Sequence, residues 1–183
     1  MIVEELSLPG LKLVKPRIFE DDRGLFVETY REDRYREAGI DARFVQDNHS
    51  RSRRGTLRGL HFQTSPGQAK LIRVVSGEIF DVAVDIRPDS ATFGRWESVR
   101  LDARNHHQFY VPLGFAHGFC VLSDTADVLY KVSSHYDPKS ESGFRWDDPD
   151  VAIRWPVENP IVSPRDADAM SFADLCRVLG ARR

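Results

Sequence analysis

The dominant feature of the sequence is a succession of short apolar segments with β-strand character, each ended by turn residues. The segments are rich in Val, Ile, Phe and Tyr, and Gly, Pro, Asp and Ser separate them. Many short strands without intervening helices predict an all-β fold, a jelly-roll barrel or sandwich with a few short helices. The predicted strands are 24–30, 44–49, 57–62, 70–75, 78–86, 96–101, 108–111, 115–122 and 128–133.

Helical periodicity is confined to two segments. Residues 31–38 precede Gly39, which suits the position just after a helix end. A second helix is predicted to start at Ser171. Its apolar stripe is predicted to consist of Phe172, Leu175, Val178 and Leu179.

Turn residues predict two hairpins, at Ser76-Gly77 and at 123–126. If residues 123 and 126 pair, His117 lies opposite Val132 and diagonal to Tyr130 on one sheet face. Within 78–86, alternation places the even-numbered apolar residues on a core face.

Length and charge restrict the class of protein. The 183 residues suit one domain, 1–183, and the formal net charge of -2 predicts neither a nucleic-acid nor a membrane partner. The first residues lack a signal-peptide pattern, and no apolar run is long enough to span a membrane. Two distant cysteines suggest no disulfide framework, so we expect a cytoplasmic location.

His61 is the strongest candidate for a chemical group. Arg58 precedes it by three residues and Lys70 follows it by nine. A neutral imidazole suits proton removal near neutral pH, and the two cations suit an anionic substrate. Lys70 shares a mostly apolar strand face with Ile72, which is unexpected for a surface lysine, although a lysine at a strand end can also reach solvent.

Metal and nucleophilic chemistry are disfavoured. Gln63 stands where a metal-binding barrel usually has a second histidine, and adjacent His106 and His107 point to opposite faces of an extended chain. The chain contains no Gly-x-Ser-x-Gly elbow and no Gly-rich phosphate loop before a helix. We therefore expect no metal and no cofactor.

Several motifs in a fixed order resemble the dTDP-4-dehydrorhamnose 3,5-epimerase family, which has the cupin fold. The resemblance covers about residues 19–166. Its motifs are Asp22-Arg23-Gly24-x-Phe26-x-Glu28, Gln46-Asp47-Asn48-His49-Ser50, Leu57-Arg58-Gly59-Leu60-His61-Phe62-Gln63, Gln68-x-Lys70-Leu71, Pro112-x-Gly114-Phe115-Ala116-His117-Gly118-Phe119, Tyr130-Lys131, Tyr136 and Asn159-Pro160-Ile161-Val162-Ser163.

The resemblance implies catalytic roles for four residues. The histidine matching His61 is the family's general base, and the aspartate matching Asp166 orients it. Lys70 matches the lysine that, in the family, stabilises the enolate oxygen at C4 of the sugar substrate. Tyr130 matches the acid that returns a proton to the opposite face of the sugar. This chain reads Ser163-Pro164-Arg165-Asp166 where the family often has Ser-Glu-Lys-Asp, and nearby Asp168 is an alternative partner for His61.

The resemblance also implies a nucleotide-sugar site and a partner. The substrate would be a dTDP-4-keto-6-deoxy sugar, and the partner a second copy whose strands enter the nucleotide pocket of the first. The matching substrate-binding residues are Arg23, Glu28, Gln46, Asp47, Asn48, Arg58, Lys70, His117, Tyr136, Glu141 and Arg165, with arginine suited to the diphosphate.

The implied reaction is epimerisation at C3 and C5 of dTDP-4-dehydro-6-deoxy-D-glucose, in dTDP-L-rhamnose biosynthesis for cell-surface polysaccharide. Two alternatives remain open from the sequence. One is an epimerase that inverts a single centre of another dTDP-deoxysugar, and the other is a non-catalytic nucleotide-sugar-binding cupin.

Overall fold

Two antiparallel β-sheets face each other in this computed structural model, which describes residues 1–181. The strands are β1 (Ile2–Glu5), β2 (Lys12–Lys15), β3 (Ile18–Asp21), β4 (Gly24–Val27), β5 (Gln46–Arg53), β6 (Leu57–Gln63), β7 (Lys70–Ser76), β8 (Glu78–Asp85), β9 (Trp96–Asp102), β10 (Gln108–Val111), β11 (Phe115–Val121), β12 (Thr125–Val132) and β13 (Glu141–Gly143). The order is β1-β2-β10-β7-β12-β5 in one sheet and β13-β6-β11-β8-β9 in the other, while β3 and β4 form a separate pair. The predicted all-β, cupin-type sandwich is confirmed.

The main core fills part of the space between the two sheets. Ile72 and Phe109 from the six-stranded sheet pack in the same cluster as Leu101 and Phe115 from the other. These side chains are excluded from solvent, which makes their burial the main stabilising contribution. The rest of the space between the sheets holds the candidate site described below.

Three short helices lie outside the sheets. They are α1 (Glu32–Glu37), α2 (Pro164–Ala167) and α3 (Phe172–Leu179). The Ser171 hydroxyl caps the start of α3 by accepting a hydrogen bond from the backbone N–H of Asp174. Gly180, in the left-handed conformation, caps the end of the helix. In residues 1–181, no helix combines the length and hydropathy needed to cross a bilayer.

The predicted apolar stripe of α3 is wrong at one position. Phe172 and Leu175 are buried and Leu179 packs against the same cluster, but Val178 is 69% exposed. The helix ends one residue later, at Leu179, and the buried side of α3 faces only the cluster below the five-stranded sheet.

Both predicted hairpins are wrong. β7 and β8 belong to different sheets, and so do β11 and β12, so neither turn joins paired strands. At both turns the chain passes from one sheet to the other. This is a property of jelly-roll topology that turn residues alone do not reveal. His117 therefore does not lie in one sheet with Tyr130.

The predicted core face of β8 is buried, and its opposite face is buried as well. Val82 and Val84 pack against the layer formed by Phe144 and α3. Ile79 and Ala83 point into the space between the sheets. Since β8 is covered on both sides, the acidic residues of its inner face also lie inside the protein.

Candidate active site

A cavity of about 660 Å³ opens between the two sheets. β6 and β11 supply His61 and His117 to it, while β7 and β12 of the other sheet supply Lys70 and Tyr130. The cavity is also lined by Gln46, Asn48, Arg58, Gln63, Gln68, Phe119, Tyr136, Glu141, Ser163, Arg165 and Asp166. Most residues predicted for the site therefore meet in one place, on two facing walls.

His61 is held by a buried carboxylate. Its Nε2 lies 2.6 Å from Oδ1 of Asp166, which is 4% exposed. Although burial acts to raise the pKa of Asp166, hydrogen bonds and the nearby imidazole lower it below the ordinary value. An ionised carboxylate accepts hydrogen bonds only, so Nε2 carries the proton of this bond, and Nδ1 is the nitrogen with a lone pair in the neutral form of the imidazole.

The start of α2 places Asp166 in position. The Ser163 hydroxyl accepts a hydrogen bond from the backbone N–H of Asp166. Pro164 occupies the first turn of α2, where a missing backbone N–H is tolerated. Asp166 Oδ2 also accepts the Gly59 amide at 3.3 Å. Asp168, the alternative from the sequence, is exposed at the end of α2 and is not among the residues that line the cavity.

Two glycines allow the strands to close around His61. Gly59 has φ of +124°, and a Cβ there would lie 2.6 Å from the Gly118 Cα on β11. At Gly143 on β13, a Cβ would overlap the Leu60 carbonyl oxygen and lie 3.3 Å from His61 Cδ2. The backbone of β13 therefore packs directly on one edge of the imidazole.

A second histidine–carboxylate pair lies beside the first. His117 and His61 are partners in the β11–β6 register, and His117 Nε2 is 2.5 Å from Oδ1 of Asp81 on β8. Asp81 is completely buried, and its Oδ2 has no hydrogen-bond partner among the described residues. Sequence reasoning did not assign Asp81 to the site, although an acidic residue between apolar neighbours in the strand 78–86 was a usable signal.

Lys70 is buried at 7% exposure on the facing sheet. Desolvation lowers its pKa to about 8, and the charge of Glu141 opposes that decrease. The lysine therefore lies inside the cavity, as its apolar strand face predicts, rather than at the protein surface.

Tyr130 occupies the same wall as Lys70. Burial raises its pKa above the ordinary value, with Arg58 opposing the increase and Glu141 adding to it. The phenol is therefore protonated at neutral pH and available as a hydrogen-bond donor or acid.

The cavity mouth is polar. Gln46 Nε2 donates to Asn48 Oδ1 at 2.8 Å, and Arg58 Nε donates to the Ser52 hydroxyl at 3.1 Å. Arg165 Nη1 donates to Glu141 Oε2 at 2.6 Å. Tyr136, at the same edge, is exposed, and a hydrogen bond to Glu141 raises its pKa.

Three predicted substrate-binding residues lie outside this cavity. Arg23 lies in the turn between β3 and β4 and forms an ion pair with Asp21. Glu28 directly follows β4 and forms an ion pair with Arg34. Asp47 forms an ion pair with Lys131 at 2.9 Å. The β3–β4 pair also exposes Phe19, Leu25 and Phe26, and Phe26 is 67% exposed.

Gln63 and Gln68 are further cavity residues whose contacts the sequence did not reveal. Gln68 donates to Gln63, which in turn donates to the Ser140 hydroxyl at 3.0 Å. These hydrogen bonds connect β6 to the residue just before β13. Among residues 1–181, no group of three or more His, Cys, Asp or Glu side chains has a metal-binding arrangement.

Comparison with known proteins gives consistent results. Residues 5–174 match the profile of the family described as dTDP-4-dehydrorhamnose 3,5-epimerase. The chain is 49% identical over 174 residues to a protein of that name from Neisseria gonorrhoeae, covering 94% of this chain but about half, 53%, of the relative. It is 43% identical to a dTDP-4-dehydrorhamnose 3-epimerase from Streptomyces niveus, covering 95% and 85% of the two chains.

Solved structures give the same relationship. The structure of a dTDP-6-deoxy-D-glucose-3,5-epimerase from Legionella pneumophila, in complex with dTDP-4-keto-L-rhamnose, superposes with a TM-score of 0.94 at 46% identity. The alignment covers 100% of this chain and 98% of that one.

Proposed function

Because this chain belongs to the dTDP-4-dehydrorhamnose 3,5-epimerase family, we propose that it converts dTDP-4-dehydro-6-deoxy-D-glucose into dTDP-4-dehydro-L-rhamnose by inverting C3 and C5. One observation carries the proposal: an Asp166-oriented His61 on one sheet faces Lys70 and Tyr130 on the other across a single cavity. The Legionella relative was solved with a dTDP-keto-sugar bound, which supports this substrate class.

His61 is the base in this mechanism. Its Nε2–H donates to Asp166, so Nδ1 takes the proton that the C4 ketone acidifies at C3 or C5. Asp166 holds the imidazole in this tautomer and stabilises the imidazolium as it forms. A positioned base of this kind contributes ~10²–10⁴-fold to the rate.

Lys70 stabilises the enolate. Removing the proton moves charge onto the C4 oxygen, and a buried ammonium interacts more strongly with that charge than one in water. Burial lowers the pKa of Lys70 only to about 8, so the ammonium form is still present at neutral pH.

Tyr130 returns a proton from the opposite side. A base that returned its own proton to the same face would regenerate the starting centre. Inversion therefore requires an acid on the other face, and Tyr130 belongs to the other sheet. Its raised pKa keeps the phenol protonated until it acts.

The mouth of the cavity suits the nucleotide. Arg58 and Arg165 bring two guanidinium groups to the region where a diphosphate would lie, and guanidinium groups bind phosphates through paired hydrogen bonds. The exposed ring of Tyr136 can stack on the thymine.

A second copy of the chain completes this nucleotide site in our proposal. Arg23 and Glu28 lie away from the cavity of their own chain, on a β-pair that exposes Phe19 and Phe26. Exposed apolar groups on a projecting strand pair favour contact with another subunit. We thus propose a homodimer of single-domain, cytoplasmic subunits that needs no cofactor.

NMR of the purified protein with the keto-sugar in D₂O tests the function. Deuterium entry and inversion at both C3 and C5 are expected. Inversion at one centre alone would favour the single-centre alternative, which the similarity to the Streptomyces niveus 3-epimerase supports. Binding of the sugar nucleotide without any exchange would contradict an enzymatic function.

A further inference from the structure

The Glu141–Arg165 ion pair lies at the mouth of the cavity. The carboxylate and guanidinium approach to 2.6 Å, with the Glu141 side chain 15% exposed and the Arg165 side chain 54% exposed. Glu141 therefore lies inward of its partner. The pair joins β13 to α2, the short helix that carries Asp166.

Glu141 can change partner only through its side chain, which is hydrogen-bonded to Arg165 and Tyr136. Its backbone pairs with Gln63 in the β13–β6 register, and the preceding Ser140 hydroxyl accepts a hydrogen bond from Gln63. A change of partner at Glu141 thus requires a rotamer change and no movement of the strand. The Arg165 side chain, which is long and half exposed, can change rotamer in the same way.

Lys70 lines the same cavity as Glu141, from the facing sheet. Burial disfavours the ammonium form of Lys70, and Glu141 is the charge that opposes this effect. β10, paired at this point, places Val111 opposite Lys70. The other titratable or charged groups facing the cavity from β6, β11, β12, α2 and the segment before β13 are Arg58, His61, His117, Tyr130, Asp166, Arg165 and Tyr136.

A diphosphate competes with Glu141 for Arg165. A dTDP-sugar brings at least two negative charges to the mouth, where Arg58 and Arg165 supply the guanidinium groups. When Arg165 turns to the phosphates, the Glu141 carboxylate loses its charge partner. With Arg58 and Arg165 on the phosphates, Lys70 is the remaining lysine or arginine among the residues that line the cavity.

We propose that Arg165 restrains Glu141 in the empty protein and that diphosphate binding releases the Glu141 carboxylate to act as the counter-ion of Lys70. Glu141 is then a positioning residue that acts through Lys70. The diphosphate then has two roles: it anchors the substrate, and by releasing Glu141 it stabilises the ammonium form of Lys70 that faces the developing enolate. This inference rests on the proposed function, which makes a dTDP-sugar the ligand.

The test follows Lys70 by NMR, without the chemical reaction. The sequence contains five lysines, so ¹³Cε-labelled lysine gives a simple spectrum, and Lys70 is assigned by its absence in Lys70→Arg. The Lys70 titration is measured with and without saturating dTDP in the wild type and in Glu141→Gln. dTDP is expected to raise the protonation constant of Lys70 by at least about threefold more in the wild type than in the variant.

A double-mutant cycle separates release of Glu141 from direct charge effects. Arg165→Gln is expected to raise the Lys70 protonation constant in the dTDP-free protein, but much less in the Glu141→Gln background. Asp147→Asn removes a carboxylate that pairs with Arg145 at 2.8 Å outside the cavity and is expected to leave the Lys70 titration unchanged.

The outcomes are distinguishable. Equal dTDP effects in wild type and Glu141→Gln, or additive effects of the two substitutions, would overturn the inference while leaving the proposed function intact. Failure of dTDP to bind the wild-type protein would contradict both.

Discussion

His61 and His117 face each other across neighbouring strands, yet each is held by a different buried carboxylate. His61 bonds Asp166 at the start of α2, and His117 bonds Asp81 on the next strand of the same sheet. Asp166 is reached only because the chain returns to this sheet about a hundred residues later. The two imidazoles therefore occupy one wall of the cavity with independent hydrogen-bond partners.

Replacing His61 removes the proposed base. His61→Asn keeps a polar side chain but has no group that takes a proton near neutral pH, so deuterium exchange at C3 and C5 is expected to fall by at least ~10²–10⁴-fold. Calorimetric titration with dTDP should show binding close to that of the wild type. His107→Asn, at a histidine that does not line the cavity, is the matched control. Undiminished exchange in His61→Asn would rule out this base.

Replacing Tyr130 separates exchange from inversion. Tyr130→Phe keeps the ring but loses the proposed acid, so in the proposed mechanism His61 still removes and returns protons on its own face. Deuterium exchange is expected to persist while the yield of inverted product falls, and both are read from one NMR time course. Tyr110→Phe, in a separate buried cluster, is the control. Equal loss of exchange and inversion would contradict an acid role for Tyr130.

The rate is expected to fall as the pH rises through about 8. Burial lowers the pKa of Lys70 to about 8, and the charged form, which stabilises the enolate in the proposed mechanism, predominates below that pH. Lys70→Arg stays charged throughout this range, so the variant should be slower at neutral pH but should lose this alkaline decrease. A decrease that persists unchanged in Lys70→Arg would assign the titration to another group.

Gly143→Ala tests how closely β13 must approach the imidazole. The added Cβ would overlap the Leu60 carbonyl oxygen and contact His61 Cδ2, so either β13 or the ring must move. A displacement of this kind lowers kcat by up to ~10²-fold while dTDP binding changes little. Ser142→Ala, at the adjacent residue, controls for loss of β13 stability, and thermal unfolding monitors both variants. Wild-type kcat in Gly143→Ala would show that the ring position is not limiting.

Local sequence patterns predicted the strands because alternation and turn residues depend on neighbours in the chain. Residues 108–111 match β10 at both ends, and the helix after Ser171 begins where its cap predicts. Local patterns did not predict four short strands, β1, β2, β3 and β13. β13 has three residues and exists through its pairing with β6, so its own sequence carries little signal.

Sequence alone identified His61, Lys70, Tyr130 and Asp166 through ordered motifs and supplied the fold class. It could not place Tyr130 relative to His117, because a turn does not show whether the next strand stays in its sheet or crosses to the other. Tertiary structure decided that crossing, and with it the two-walled cavity. It also decided the Asp81 and Glu141 contacts, because hydrogen bonds and charge effects between residues distant in the chain depend on their separation in space.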